Sequence, residues 1–320
     1  MNASYSLGID VGGTKIAFGL FDENRKLVAK SRVATIQGQQ PKAFIQGLSD
    51  QARALCLANG VEAGSLSGVG AGMPCFIRQP DGYVMKSSNI PALRGCAVKE
   101  ELRQAFDGIR IEVDNDTHAA ALAENRWGAG KGVGNMLYCA VSSGIASAMI
   151  IDGKLFRGSF GFSGESGHML VTPDEGLQCT CGKRGCFMSW CSGQMIVKHV
   201  ARWIREGQPT VMTELAASPE QITAGEIEKA WRMGDPLGCR AVRQMQHYLA
   251  LWLFNLYVFT NIGCFVLGGG LLKMGDDFWQ PVFDEFNGLN GDTCDGCTVS
   301  FRKAGLGDDF GIVGANELLY

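Results

Sequence analysis

The stretch Tyr5-Ser-Leu-Gly-Ile-Asp-Val-Gly-Gly-Thr-Lys-Ile-Ala-Phe-Gly-Leu-Phe21 decides the fold. Tyr5–Ile9 reads as a short apolar strand, Asp10–Lys15 as a glycine turn, and Ile16–Phe21 as the returning strand. Asp22-Glu-Asn24 turns the chain again, into a third strand over Leu27–Thr35. Beyond it the period lengthens. Phe44, Leu48, Ala52 and Leu55 space a helix over Phe44–Asn59. Strand Leu66–Gly70, helix Val98–Phe106 and strand Ile109–Val113 follow. Hairpin strands succeeded by alternating helices and strands predict an α/β fold.

The opening pattern returns later. Met136–Val141, the turn Ser142-Ser143-Gly144 and Ala146–Ile151 form a second strand–turn–strand, extended by Lys154–Arg157. Two such hairpins predict two similar domains facing one cleft. Residues 1–115 with 304–320 form the expected small domain, and 116–303 the large one. Between the hairpins, Asn115-Asp116-Thr117-His118 opens an Ala-rich helix, Thr117–Gly128, with Asp116 as its expected N-cap. Gly207–Ala224, with Pro209 and Pro219, reads as a mobile surface connection.

Composition narrows the function classes. The chain has 320 residues, too many for one comfortable core. Its net charge is −3, with 19 % charged residues, so no basic stripe marks a nucleic-acid binder. Tyr248–Leu272 is apolar and long enough to cross a bilayer. Its polar break at Thr260, Asn261 and Gly263 instead predicts a buried helix ending near Thr260, then a strand Cys264–Leu267. No export signal precedes Asp10, so the 12 cysteines are expected as thiols and metal ligands in a reducing cytoplasm.

Two stretches carry chemistry. In Asp10-Val-Gly-Gly-Thr-Lys15, glycines let backbone N–H groups approach a phosphate, with Gly12, Gly13, Thr14 and Lys15 around its oxygens. Asp10 would then face Mg²⁺ through water. A plain glycine hairpin is the alternative. No P-loop or dinucleotide fingerprint is present. The second stretch sets His168 before Cys179, Cys181 and Cys186. Three thiolates and an imidazole make a closed tetrahedral zinc set, and Gly182 and Gly185 allow the turn between the sulfurs. The alternative is a group of buried core thiols, the reading that suits Cys191. Cys294-x2-Cys297 is a lone pair with no partner pair.

Asp10–Lys15, Asn115-Asp116, Gly164-Glu165-Ser166-Gly167-His168, the cysteine cluster and Leu267-Gly268-Gly269-Gly270 occur in this order. Together they resemble the ROK family of repressors, open reading frames and sugar kinases, over nearly the whole chain, with a looser likeness to the D-allose kinases within it. The resemblance implies the two-domain actin/hexokinase-like (ribonuclease H-like) fold. It implies an ATP-dependent hexose kinase that moves the γ-phosphate of ATP to the primary 6-hydroxyl, with Asp116 as general base. Asn89, Asn115, Asp116, Glu165 and His168 would bind the sugar, His168 sharing its two nitrogens between zinc and sugar. Ser143 and Gly144 would form a second phosphate turn, and Gly268, Gly269 and Gly270 would lie under the adenosine. Structural Zn²⁺, and Mg²⁺ with ATP, are the implied cofactors. A homodimer is expected, with no nucleic-acid or membrane partner.

Three departures stand out against that pattern. Ser142 replaces the first glycine of the second phosphate turn. Met188 replaces a glutamate that meets the anomeric end of the sugar. His118 replaces an asparagine; with His199 and His247 it reads as a surface or helix-face residue. N-acetylmannosamine or glucose are alternative sugars, and a non-catalytic sugar sensor is the alternative class. A DNA-binding repressor is not expected, because only nine residues precede Asp10.

Overall fold

The computed structural model describes residues 4–291 and 298–320. Cys294 and Cys297 lie outside them. Twelve strands are described: β1 (Ser6–Val11), β2 (Lys15–Phe21), β3 (Leu27–Ala34), β4 (Val69–Met73), β5 (Cys75–Arg78), β6 (Tyr83–Ser87), β7 (Ile111–Asn115), β8 (Met136–Val141), β9 (Ile145–Ile151), β10 (Lys154–Phe156), β11 (Cys264–Gly268) and β12 (Ser300–Lys303). They form one five-stranded sheet of order β3-β2-β1-β4-β7, another of order β10-β9-β8-β11-β12, and the small hairpin β5-β6. In the first sheet β1, β2 and β3 pair antiparallel, while β1, β4 and β7 run parallel. Parallel pairing needs helical crossovers, so helices Pro41–Ala58 and Val98–Ala105 separate these strands. The fold is α/β, as the sequence indicated.

The chain divides into two compact units. The first holds residues up to Tyr138, then 148–164 and 304–320; the second holds 139–147 and 165–303. This division differs from the expected boundary at 115/116. Helix Asp116–Trp127 packs against helix Phe310–Glu317, which itself lies on β1 and β4, so both helices stay with the first unit.

That C-terminal helix fits only because strand positions beneath it lack side chains. A Cβ at Gly8 would stand 2.1 Å from the Ile312 carbonyl oxygen, and one at Gly70 only 1.8 Å from that of Ala315. Ser6 Oγ donates to Asn316 Oδ1 at 2.7 Å and pins the same contact. The other face of the sheet buries Leu7, Ile9, Phe18, Leu20, Val69 and Ala71 in one core with Phe44, Leu48 and Leu102 from the crossover helices.

In the second unit the long helix Pro236–Thr260 starts at Asp235, whose Oδ1 accepts from the N–H groups of Leu237 (3.0 Å) and Gly238 (2.9 Å). It ends where Asn261 turns left-handed at φ 51°. The apolar run therefore breaks as expected, and β11 follows. No helix among the described residues is long and apolar enough to cross a membrane.

The segment 207–224 is not an open connection. It contains the short helices Met212–Leu215 and Pro219–Gln221, buries Met212 and Ile222, and is tied by Thr210 Oγ1 to Asp235 Oδ1 at 2.9 Å. Pro219, with Ser218 before it, starts the second of these turns rather than loosening the chain.

Candidate functional site

In the first unit, the Gly12 N–H donates to the Lys15 carbonyl at 2.9 Å and closes the β1–β2 turn. The turn is braced from outside. Thr35 Oγ1 donates to the Gly12 carbonyl at 2.7 Å, and Gln37 Nε2 bridges the carbonyls of Gly13 (2.6 Å) and Asn89 (3.2 Å). With its carbonyls engaged, the turn keeps Thr14 and Lys15 exposed. Asn89, also exposed, lies against Gly13. Asp10 stands at the end of β1. Burial first, then the nearby Asp116 charge, push its carboxyl up to about 6, with Lys15 and Arg32 opposing.

Asn115 ends β7 and is the N-cap of helix Asp116–Trp127, its Oδ1 accepting from the N–H groups of Thr117 (2.8 Å) and His118 (3.4 Å). This corrects the expectation that Asp116 caps the helix. Asp116 is the first helical residue, and its Oδ1 accepts from Thr117 N at 2.8 Å. The residue remains partly accessible, yet protein around the carboxyl desolvates it and raises its pKa, against the Thr117 hydrogen bonds. Asn115 Nδ2 donates to the Cys75 carbonyl at 3.2 Å, which leaves one amide hydrogen for a ligand.

Sequence reasoning missed a buried charge chain beside these residues. Arg157 Nε donates to Asp114 Oδ2 at 2.6 Å. Asp114 Oδ1 lies 2.8 Å from His118 Nδ1, and His118 Nε2 lies 2.9 Å from the Ser163 carbonyl. A carboxylate and a carbonyl only accept, so both ring nitrogens carry protons and the ring is an imidazolium. Desolvation acts against that charge, but the Asp114 and Ser163 bonds outweigh it and raise the His118 pKa. All three flagged histidines sit on helices, but only His247 is exposed; His118 and His199 are buried. The i, i+4 spacing of Asp114 and His118 was the available signal.

In the second unit the Ser142-Ser143-Gly144 turn receives helix Gly193–Arg205. The Gly193 N–H donates to the Ser142 carbonyl at 2.8 Å and the Gln194 N–H to that of Ser143 at 3.2 Å. Gly269 and Gly270 follow β11 and lie on the same turn region, against Val141 and Ser142; Gly268 is the buried last residue of the strand.

Glu165 precedes a helical turn, Ser166–His168, fixed by Ser166 Oγ to Ser147 Oγ at 2.8 Å and by the Trp252 indole N–H at 3.1 Å. His168 is turned two ways. Nδ1 lies 3.4 Å from Cys179 Sγ, and Nε2 lies 4.0 Å from Glu165 Oε2. The donor atoms of His168, Cys179, Cys181 and Cys186 all lie within 4.8 Å of one another. Around a tetrahedral zinc, S–S edges of about 3.8 Å and S–N edges of about 3.5 Å follow from bond lengths of about 2.3 and 2.0 Å. The Cys181–Cys186 separation of 3.6 Å and the Cys179–His168 separation of 3.4 Å match those edges. Cys191 is a buried core thiol bonded to the Phe187 carbonyl, as expected, and Met188 beside it is buried.

A family model described as the ROK family matches residues 6–320. The glucokinase of Halalkalibacterium halodurans is 28 % identical over 320 residues, covering 100 % of this chain and 96 % of that protein. Among solved structures, a ROK hexokinase from Thermus thermophilus superposes with TM-score 0.82 at 28 % identity, over 98 % of this chain and 97 % of that one. A ROK glucokinase from Streptomyces griseus, in complex with glucose and AMPPNP, gives TM-score 0.80 at 30 % identity, over 98 % and 99 %. The fold is the actin/hexokinase-like one. The chain belongs to the ROK family and is one of its sugar kinases.

Proposed function

We propose that this chain transfers the γ-phosphate of ATP to the primary 6-hydroxyl of a hexose, with Asp116 as general base. The observation that carries the reading is the placement of Asp116: first residue of its helix, partly accessible, with its carboxyl pKa raised by desolvation. The match of residues 6–320 to the ROK family, and a structural relative solved with glucose and AMPPNP, support it. Phosphoryl transfer needs positioning and charge more than covalent chemistry. The braced Gly12–Lys15 turn offers backbone N–H groups and Lys15 to phosphate oxygens, with Ser143 and Gly144 as the second turn and Gly268, Gly269 and Gly270 for the adenosine.

Asp10, at the end of β1, would hold Mg²⁺, which supplies charge neutralisation to the transferring phosphate. The sugar hydroxyls fall to Asn89, the free amide hydrogen of Asn115, Glu165 and the Nε2 edge of His168. A structural zinc on His168, Cys179, Cys181 and Cys186 would hold that histidine still. Its closed donor set and its edge lengths support this metal. A homodimer in the cytoplasm belongs to the same reading; no disulfide joins the described cysteines, which suits a reducing compartment. ATP consumption measured across a panel of hexoses and N-acetylhexosamines tests the proposal. Sugar-dependent ADP release supports it. Sugar binding without any ATP turnover would establish the sensor instead.

A further inference from the structure

The first unit contains a cavity of ≈ 570 Å³ that the proposed reaction does not use. It lies by β7, the edge strand of the first sheet. Five cations line it: Lys99, Arg110, Arg126, Lys154 and Arg157. Only two carboxylate side chains, Glu112 and Glu317, line it with them. Glu317 is already held twice, by Arg126 at 2.6 Å and by Arg25 at 3.0 Å. Glu112 serves Lys99 at 2.8 Å and has only a long 3.4 Å contact with Arg110. Lys154 pairs with no carboxylate among the described residues and is exposed. A chain with 29 basic against 32 acidic side chains thus concentrates a positive surplus at one concave place. Leu122, Leu155 and Leu318 add apolar wall.

We infer that this cavity binds a small phosphomonoester, with Lys154 and the weakly held Arg110 as its cationic contacts and Arg157 as the residue that senses it. A dianionic phosphate meets several Arg and Lys donors, and the leucines suit an organic body. The volume is that of a small-molecule site. Arg157 both lines the cavity and holds Asp114 at 2.6 Å, and Asp114 holds His118. A ligand that draws on the Arg157 guanidinium therefore alters the charge balance at Asp114, two residues before Asp116. The product of the proposed reaction is itself a phosphomonoester; reading this cavity as a product sensor rests on that proposal, whereas the binding itself does not.

Calorimetric titration of the full chain with glucose 6-phosphate, inorganic phosphate and glucose tests the inference, on the parent and on an Arg110→Glu/Lys154→Glu variant. Both changes lie on exposed side chains outside the proposed catalytic residues. The expected result is an ester-binding event in the parent that weakens by about tenfold or more in the variant, while ATP-dependent turnover at saturating substrate is kept. In the parent, the ester should also shift the His118 ring nitrogen resonances, and Arg157→Gln should remove that shift. Identical ester isotherms for parent and variant would overturn the site, as would no ester heat up to about 10 mM, a bound on affinity near 3 kcal/mol. Phosphate binding as tight as the ester would overturn the ester assignment. Loss of all sugar-dependent turnover in the parent itself would instead sink the kinase reading and leave the cavity result standing.

Discussion

Gly311 is the residue that admits Asp10 to the start of the C-terminal helix. A Cβ at Gly311 would stand 2.3 Å from Asp10 Oδ2 and 2.4 Å from its Cγ. The carboxylate therefore packs against the first turn of helix Phe310–Glu317, where the helix dipole favours negative charge. Gly311→Ala should displace one partner or the other. An overpacking cost of about 1–3 kcal/mol is expected, with turnover lost beyond the stability change. Chemical denaturation and kcat measured on one preparation separate the two effects; a variant with parental values in both would show that the helix shifts freely.

The raised carboxyl of Asp10 gives a pH signature. Its pKa moves from 3.8 to about 6, so the site disfavours the ionised form. The associated stability is present in full below about pH 4 and is lost as pH rises through about 6, to a limit of about 3 kcal/mol. Asp10→Asn should remove that loss. The variant is expected to melt higher than the parent at pH 8 without added Mg²⁺, to match it more closely near pH 4, and to be catalytically poor. Equal melting temperatures at pH 8 would mean that the charge is well solvated.

The capping assignment separates two neighbouring residues by experiment. Asn115→Ala removes the acceptor of Thr117 and His118 N–H and should cost about 1 kcal/mol of stability. Asp116→Asn leaves the cap intact, so it should fold normally while turnover falls by about 10²-fold or more. An Asp116→Asn enzyme working at the parental rate would return Asp116 to a structural role.

One zinc per chain is expected on freshly purified protein by elemental analysis. Cys181→Ser should release it and weaken sugar binding more than it lowers the melting temperature. Burial and the neighbouring thiols push Cys186 up to about 12, so only a bound cation favours the thiolates at neutral pH. Metal-free protein that binds sugar as tightly as the fresh preparation would rule out the positioning role.

Met188 bears on which sugar is read. A buried thioether offers contact area but no strong hydrogen bond. Met188→Glu should sharpen discrimination between sugars differing at the first or second carbon, and raise kcat/KM for an unmodified hexose by about tenfold. Unchanged selectivity between paired sugars would place the residue outside the sugar site.

Much of this was legible in the chain because the signals are local. Alternation and glycine turns mark β1–β3 and β8–β9 to within a residue or two. The Cys-x-Cys-x4-Cys spacing marks the cysteine cluster, and its three sulfurs do converge with His168. What escaped was set by distant partners. Asp114 and Arg157 are 43 positions apart, and no local pattern announces their pairing. Hairpin β5–β6 hides because Cys75–Arg78 is only four residues long. Helix Phe310–Glu317 hides because it is apolar on nearly every side, so no 3.6-residue stripe emerges.

That same helix imposes an order on biosynthesis. β1, β4 and β7 leave the ribosome early, but the surface over Gly8 and Gly70 is covered only once residues 310–317 have been made. At about 5–20 residues per second, the nascent sheet waits about 10–40 s with one face open. During that interval the glycine-lined face stays uncovered, and the first unit is completed only when the helix docks on it.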